Sequence, residues 1–177
     1  ADIYGRKGPL YVGLALFLVG SVGAALAPTI EWLVAFRFLQ GIGATAGLVV
    51  PRAVVRDLYT GNEAAKLMSL LMLVFSVSPI LAPLTGSFIS ESFGWRGVFW
   101  AVTVAALVAV VLLATSLKET RPPEERIGSS FGEALRAYRF LLRDRYFLGL
   151  TAIGSFAISS FFVYLSNSSF LLIDHYG

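Results

Sequence analysis

Cysteine is absent from the 177-residue chain, and histidine occurs once, as His175. Without thiols or a second imidazole, the sequence offers no disulfide framework, no thiolate zinc site, no His-based metal cluster and no cysteine nucleophile, and we expect no bound metal. Nor does it carry a Ser/His/Asp set or paired carboxylates inside an apolar run, so we predict neither catalytic residues nor a bound cofactor. The net charge of +3 is too small to indicate a nucleic-acid partner.

Charged residues are also scarce, at 14% of the chain, against roughly a quarter in a typical soluble domain. Hydrophobic residues make up 56%, which leaves too little polar surface to cover a globule in water. Several uncharged stretches are longer than the roughly 20 residues that cross a bilayer core as a helix. Runs such as 98–114 do not alternate in polarity, which excludes strands of a membrane barrel. We predict an all-α membrane protein with helices at about residues 8–30, 32–55, 67–90, 97–117 and 146–173.

Basic residues are distributed unequally between the two faces of this predicted bundle. Five spans place the chain ends on opposite faces, and segments 2–7, 51–66 and 118–145 then share one face. All but two of the basic residues lie there: Arg6, Lys7, Arg52, Arg56, Lys66, Lys118, Arg121, Arg126, Arg136, Arg139, Arg143 and Arg145. By the positive-inside rule this face is cytoplasmic, and the end at residue 177 is periplasmic or extracellular.

The segment 118–145 is the longest between predicted spans. Pro122 and Pro123 cannot continue a helix, but Ser130 and Glu133 stand at the spacing of a capping box. Apolar residues then recur at helical spacing, with arginines off the stripe: Phe131, Leu135, Tyr138 and Leu142. Two interpretations stay open, an amphipathic helix on the inner membrane surface or a solvated helix that links two bundles.

Charges of both signs occur near the predicted cytoplasmic face. Asp2, Arg6 and Lys7 precede the first span, and Asp57 follows the second. If these helices are neighbours, Asp57 reaches Arg6 or Lys7, and an ion pair there forms a latch that opens and closes as the bundle rocks. The alternative is an ordinary topogenic turn with an exposed pair worth under about 1 kcal/mol.

One cation lies inside the second predicted span. Arginine in a bilayer costs at least about 3 kcal/mol, so Arg37 is expected to face a cavity or a partner. Its helical face also carries Gln40, Gly41 and Ala44. Gly43 and Gly47 have the spacing that suits close helix packing. The alternative is that Arg37 extends back to the outer surface.

The third span contains Pro79, Pro83 and Gly86. The prolines remove two backbone donors and bend the helix, and in lipid the freed carbonyl groups need other partners. We expect nearby hydroxyl groups to supply them: Ser76, Ser78 and Thr85.

The last span combines phenylalanine with serine and asparagine. Aromatic faces and hydroxyl groups together can line a pocket for varied apolar ligands. The candidate lining residues are Gln40, Phe156, Ser160 and Asn167. The alternative is that the last three are contacts between helices.

Three of these segments resemble signatures of the major facilitator superfamily. Asp2, Gly5, Arg6 and Lys7 match the later part of its loop signature between helices two and three, although Ile3 replaces the usual arginine. The string 37–44 looks like the fourth-helix signature. The paired prolines with Gly86 resemble the fifth-helix signature of drug–proton antiporters, and with 52–59 they look specifically like the Bcr/CflA drug-resistance subfamily.

The resemblance implies helices three to seven of a twelve-helix protein. Residues 1–117 then belong to the N-terminal six-helix half, 118–145 are the central cytoplasmic linker, and 146–177 begin the C-terminal half. The sequence is then a fragment, and its titratable proton site is expected in a preceding helix.

The implied activity is multidrug efflux by drug/proton antiport with alternating access, in the bacterial inner membrane. Amphipathic drugs and protons are the partners, the proton gradient is the energy source, and the full-length protein acts as a monomer. The implied roles are proton coupling for Arg37, a cytoplasmic gate for Asp2, Arg6, Lys7 and Asp57, and an antiporter helix at Pro79, Pro83 and Gly86. The alternatives are a proton-coupled metabolite or sugar transporter of the same superfamily and a non-transport membrane scaffold.

Overall fold

The computed structural model describes residues 5–117, 119–120 and 131–176, and across these ranges its regular structure is entirely helical. The helices are α1 (Lys7–Leu26), α2 (Ile30–Leu58), α3 (Gly61–Ser116), α4 (Phe131–Leu141) and α5 (Arg145–Tyr176). The prediction of an all-α fold is confirmed. The chain forms two units, Ala1–Ile127 and Gly128–Gly177, and each is described by itself.

Four of the described helices, α1, α2, α3 and α5, are long and apolar enough to cross a membrane. Helix α3 has 56 residues and changes direction at Gly94, whose φ of 72° and ψ of 172° are not helical. The parts on either side, 61–93 and 95–116, each exceed the roughly 20 residues that a bilayer core requires. The break between the predicted spans 67–90 and 97–117 is therefore a single glycine in a conformation that other residues rarely adopt.

Helices α1 and α2 form a hairpin whose backbones touch. A Cβ atom added to Gly43 would lie 2.5 Å from the carbonyl oxygen of Gly13 and 2.5 Å from the backbone nitrogen of Phe17. One added to Gly20 would lie 2.7 Å from the nitrogen of Gln40. Only glycine permits this separation, which is the usual way membrane helices gain contact area. Gly47, the other member of the predicted glycine pair, faces open space instead.

The second part of α3 packs against this hairpin. Phe99 is 6% exposed and lies against the fully buried Ala24 and Ala25, with Leu33 and Phe36 around them. Arg96 donates from Nη2 to the carbonyl oxygen of Ala27, 3.0 Å away, just beyond the end of α1.

Most large apolar side chains outside this contact are exposed. Phe38, Phe88 and Leu84 each expose two thirds or more of their surface. A water-soluble domain does not leave its apolar side chains uncovered in this way, so these faces are suited to lipid or to further helices.

The prolines of α3 lie within the first part, 61–93, where the structure corrects one expectation. Pro79 and Pro83 remove the helical donors to the carbonyl groups of residues 75 and 79. The hydroxyl groups do not serve these carbonyls, because each bonds one turn behind itself. Ser76 donates to Met72 at 2.9 Å, Ser78 to Val74 at 2.7 Å and Thr85 to Leu81 at 2.9 Å. A helical serine or threonine reaches back only three or four residues, so Ser76 and Thr85 cannot reach the carbonyl groups of residues 75 and 79. Ser78 is within reach of residue 75 but bonds Val74 instead.

Helix α4 falls in the predicted linker, 118–145. The helix covers Phe131–Leu141. Gly132, Glu133 and residues 135–140 are exposed. Pro122, Pro123 and Ser130 lie outside the described residues, so the predicted proline turn and capping box stay predictions.

Enlarging Gly43 should separate α1 from α2. We expect Gly43→Leu to lower the free energy of unfolding by about 1–3 kcal/mol, since the side chain must displace the facing backbone. Gly41→Leu is the matched control, because that position faces open space on the same helix and gains the same helix propensity. The measurement is thermal unfolding of both purified variants in detergent, and equal midpoints would contradict the close contact.

Candidate functional site

The first polar cluster lies where α1 begins and α2 ends. Arg6 donates from Nε to Oδ2 of Asp57 at 2.7 Å and from Nη2 to Oδ1 at 3.1 Å. The guanidinium and the carboxylate therefore meet through two parallel hydrogen bonds, the strongest common geometry for this pair. The Arg6 side chain is 6% exposed and that of Asp57 23%. The structure thus brings together two of the predicted gate residues from positions 51 residues apart.

Glu119 joins this cluster from beyond the end of α3. Its carboxylate accepts the backbone N–H of Arg6 at 2.8 Å and that of Lys7 at 3.2 Å. Free N–H groups at a helix start attract negative charge, so Glu119 caps α1. Gly5 permits the approach: its φ is 81°, and a Cβ there would lie 2.6 Å from Oε2 of Glu119.

Neighbouring residues extend the cluster. Thr120 donates from Oγ1 to Oδ2 of Asp57 at 3.4 Å. The ammonium group of Lys7 lies 5.9 Å from the centroid of the Tyr11 ring, a cation–π contact. Asp2, the remaining predicted gate residue, lies outside the described residues.

A cavity of about 480 Å³ adjoins Asp57. Its lining residues are Arg6, Val49, Val50, Arg52, Ala53, Arg56 and Asp57. Three of them are arginines and one is a carboxylate, so the wall is predominantly positive. The cavity is large enough to hold water beside Asp57.

The second polar cluster crosses the interface between α1 and α2. Arg37 donates from Nη1 to Oε1 of Gln40 at 3.0 Å, and Gln40 donates from Nε2 to Oγ of Ser21 at 2.6 Å. Ser21 in turn donates to the carbonyl oxygen of Phe17 at 2.7 Å. Gln40 and Ser21 are buried, and each donor that enters the interface finds an acceptor.

Two residues contact the guanidinium of Arg37. It bonds Gln40, which lies nearly one turn deeper than Arg37, and its carbon Cζ lies 4.5 Å from the centroid of the Phe99 ring. Arg37 remains exposed, so one side of its guanidinium contacts Gln40 and Phe99 and the other side has no covering residue in the described part of the chain.

Gln40 was predicted to line a substrate pocket, and the structure places it elsewhere. Its side chain is buried against Gly20, and its amide bonds Ser21 and Arg37. It therefore positions Arg37 in this structure instead of facing an open cavity.

The other predicted residues lie on α3 and α5. Pro79 is half-buried, Pro83 is exposed, and Gly86 has open space where a Cβ would lie. Phe156 and Ser160 are exposed on α5, within the unit Gly128–Gly177. Asn167 on the same helix donates to the carbonyl oxygen of Val163 at 2.9 Å.

Sequence reasoning missed several members of the clusters, among them Glu119, Thr120, Ser21 and Phe99. Glu119 gave one signal, a lone carboxylate at the predicted cytoplasmic end of a span. Ser21 and Phe99 gave none, because serine and phenylalanine are ordinary in apolar helices. Within the described ranges, His, Asp and Glu side chains nowhere gather in a group of three that could hold a metal ion.

Neutralising Asp57 should destabilise the first unit. In Asp57→Asn the largely buried Arg6 guanidinium keeps its charge and loses its counter-ion, which costs on the order of 2 kcal/mol. Glu63→Gln is the control, because Glu63 is an exposed carboxylate at the start of α3 near the same face. Thermal unfolding in detergent measures both, and an Asp57→Asn midpoint no lower than that of Glu63→Gln would refute a stabilising pair.

A family model described as Major Facilitator Superfamily matches residues 1–177. The chain is 42% identical over 179 residues to a Bacillus subtilis (strain 168) protein described as uncharacterized MFS-type transporter YdgK. It is 35% identical over 177 residues to multidrug resistance protein MdtL of Escherichia fergusonii and 34% identical to MdtL of Escherichia coli O9:H4 (strain HS). Each alignment covers 100% of this chain and 44% of the relative, so the chain spans less than half the length of these proteins. With its whole length matched and its long apolar helices in place, the chain belongs to the Major Facilitator Superfamily.

Proposed function

We propose that the chain is part of a secondary active transporter that exports amphipathic antimicrobial compounds in exchange for protons. Membership of the superfamily supports transport, and the MdtL relatives, named as multidrug resistance proteins, support drug export. The paired prolines and the 52–59 segment support a place in the Bcr/CflA subfamily. The activity belongs to the longer protein of which this chain forms one part.

The observation that carries this proposal is the cluster of Arg6, Asp57 and Glu119. Alternating access needs an element with two arrangements of similar free energy. A partly buried, bidentate ion pair beside a cavity that can hold water is such an element. When the pair is closed, its Coulomb attraction offsets the cost of desolvation, and when it opens, water solvates both charges instead. Glu119 and Thr120 connect this pair to the end of α3, so movement there is transmitted to α1 and α2.

Arg37 is the proposed coupling residue. Gln40 and Phe99 hold its guanidinium in place, while one side stays open to a further helix. A fixed cation favours the ionised form of a carboxyl group that approaches it, and so promotes release of a proton from that group. In this proposal the carboxyl group belongs to a helix that precedes the chain, and drug and proton bind alternately around it.

We also propose the membrane, the orientation, the oligomeric state, the energy source and the pocket residues of the full-length protein. The protein lies in the bacterial inner membrane as a monomer, with the residue 1 end and 118–145 in the cytoplasm and the residue 177 end on the opposite side. The proton gradient supplies the energy, and no cofactor takes part. Phe156, Ser160 and Asn167 line the drug pocket.

Transport by the full-length protein tests this function. In a bacterium deprived of its own efflux pumps, we expect it to extrude a fluorescent amphipathic cation, and we expect a protonophore to abolish the extrusion. Accumulation of a sugar or metabolite together with protons, without dye extrusion, would assign the protein to another branch of the superfamily.

Arg37→Ala tests the coupling role. We expect dye efflux to fall at least about tenfold, since the fixed charge beside the proton site is lost, while Arg37→Lys retains part of the activity. Lys66→Ala is the control, because it removes an exposed cation at the start of α3. Efflux is measured at matched protein levels in the membrane, and unchanged efflux in Arg37→Ala would exclude this residue from coupling.

A further inference from the structure

Helix α4 presents an uncovered apolar face. Leu135, Tyr138 and Leu142 each expose about three fifths or more of their surface. At about 100° per residue these three positions fall within one narrow sector of the helix. An exposed apolar stripe of this kind, formed by Leu135 and Tyr138 of α4 and by Leu142 just past its end, is stabilised by a partner that removes it from water.

A row of arginines flanks this face. Arg136, Arg139 and Arg143 follow one another at spacings of three and four residues, on the side of the helix next to the apolar sector, and all three are exposed. Long basic side chains in this position extend from an apolar surface towards anionic groups at its border. The combination of an apolar stripe and a basic flank is typical of helices that lie in a membrane interface.

The short connection to α5 fixes the distance between α4 and the point where α5 enters the membrane. Only Leu142, Arg143 and Asp144 separate it from α5, and their backbone N–H groups bond back to Tyr138, Phe140 and Leu141. Asp144 then caps α5 by accepting the backbone N–H of Tyr146 at 2.8 Å and that of Phe147 at 3.3 Å. Helix α5 is apolar enough to cross a membrane from Arg145 onward. The end of α4 therefore lies within about one helical turn of the point where the bilayer begins.

We propose that α4 binds the anionic phospholipid surface of the membrane that α5 crosses. Leu135, Tyr138 and Leu142 enter the boundary between headgroups and acyl chains. Arg136, Arg139 and Arg143 bind phosphate groups of the anionic lipids. Basic residues next to a membrane-crossing helix attract such lipids, and three of them favour an anionic over a neutral surface on the order of a hundredfold.

The depth of single labels in vesicles tests this proposal. The 177 residues contain no cysteine, so a thiol can be introduced here without removing a native one. Tyr138→Cys places a spin label on the apolar face. Phe140→Cys is the matched control, because Phe140 is also an exposed aromatic residue but points to the opposite side. The full-length protein is reconstituted in phosphatidylcholine, with or without phosphatidylglycerol, and the label is probed with oxygen, which dissolves in lipid, and with a water-soluble nickel complex.

We expect the label at position 138 to be accessible to oxygen and shielded from nickel in vesicles that contain phosphatidylglycerol. The label at 140 should stay accessible to nickel in both kinds of vesicle. The variant Arg136→Gln/Arg139→Gln/Arg143→Gln should lose the dependence on phosphatidylglycerol, while Arg52→Gln should retain it.

Three results would overturn the proposal. Nickel access at 138 in both lipids indicates a solvated linker, and shielding from both reagents indicates that protein covers the face. Equal oxygen access in both lipids would show that α4 does not recognise anionic headgroups. The depth of the label does not depend on transport, so these results leave the proposed function untouched.

Discussion

The backbone contact between α1 and α2 is the constraint on which the described sites depend. Gly20 and Gly43 allow the two helices to approach until backbone meets backbone. At this separation Gln40 reaches Ser21 across the interface and so fixes the orientation of Arg37. The same approach places the start of α1 beside the end of α2, where Arg6 meets Asp57. A wider separation would break the contact between Gln40 and Ser21 and the contact between Arg6 and Asp57.

The segment that runs from Arg96 to Thr120 holds this hairpin from a second side. Glu119 caps the start of α1, and Arg96 bonds the carbonyl oxygen of Ala27 at its end. The two charges have the signs that the helix dipole favours at its positive and negative ends. Between them Phe99 packs on Ala24 and lies under Arg37. The second part of α3, with the residues just after it, is therefore joined to α1 and α2 at both ends, and it connects the two polar clusters.

The sequence predicted the features that depend on composition along the chain. Uncharged runs indicated the membrane-crossing helices, and the charges at 6 and 57 marked the gate cluster. Contacts between distant segments could not be predicted from the sequence. Glu119 lies 113 residues from Arg6, and no local pattern relates them. Gln40 illustrates a different limit. A polar residue in an apolar helix indicates a buried partner or a ligand equally well. Only the packing of Gln40 against Gly20 shows that its partner is buried within the helix pair. The hydroxyl groups near Pro79 were assigned wrongly, because a helical hydroxyl bonds a carbonyl one turn behind itself and the carbonyl groups freed by the prolines lie elsewhere or, for Ser78, are passed over for Val74.

The central claim is that the contact between Arg6 and Asp57 opens and closes during transport. Ala53 lines the cavity beside Asp57, so a cysteine there reports on water access to this contact. In the full-length protein, the rate at which Ala53→Cys reacts with a membrane-impermeant thiol reagent should change when drug and a proton gradient are supplied. In the Asp57→Asn background the rate should be the same with and without them. A rate that is constant in both backgrounds would contradict the account, because the cluster would then be a fixed structural contact.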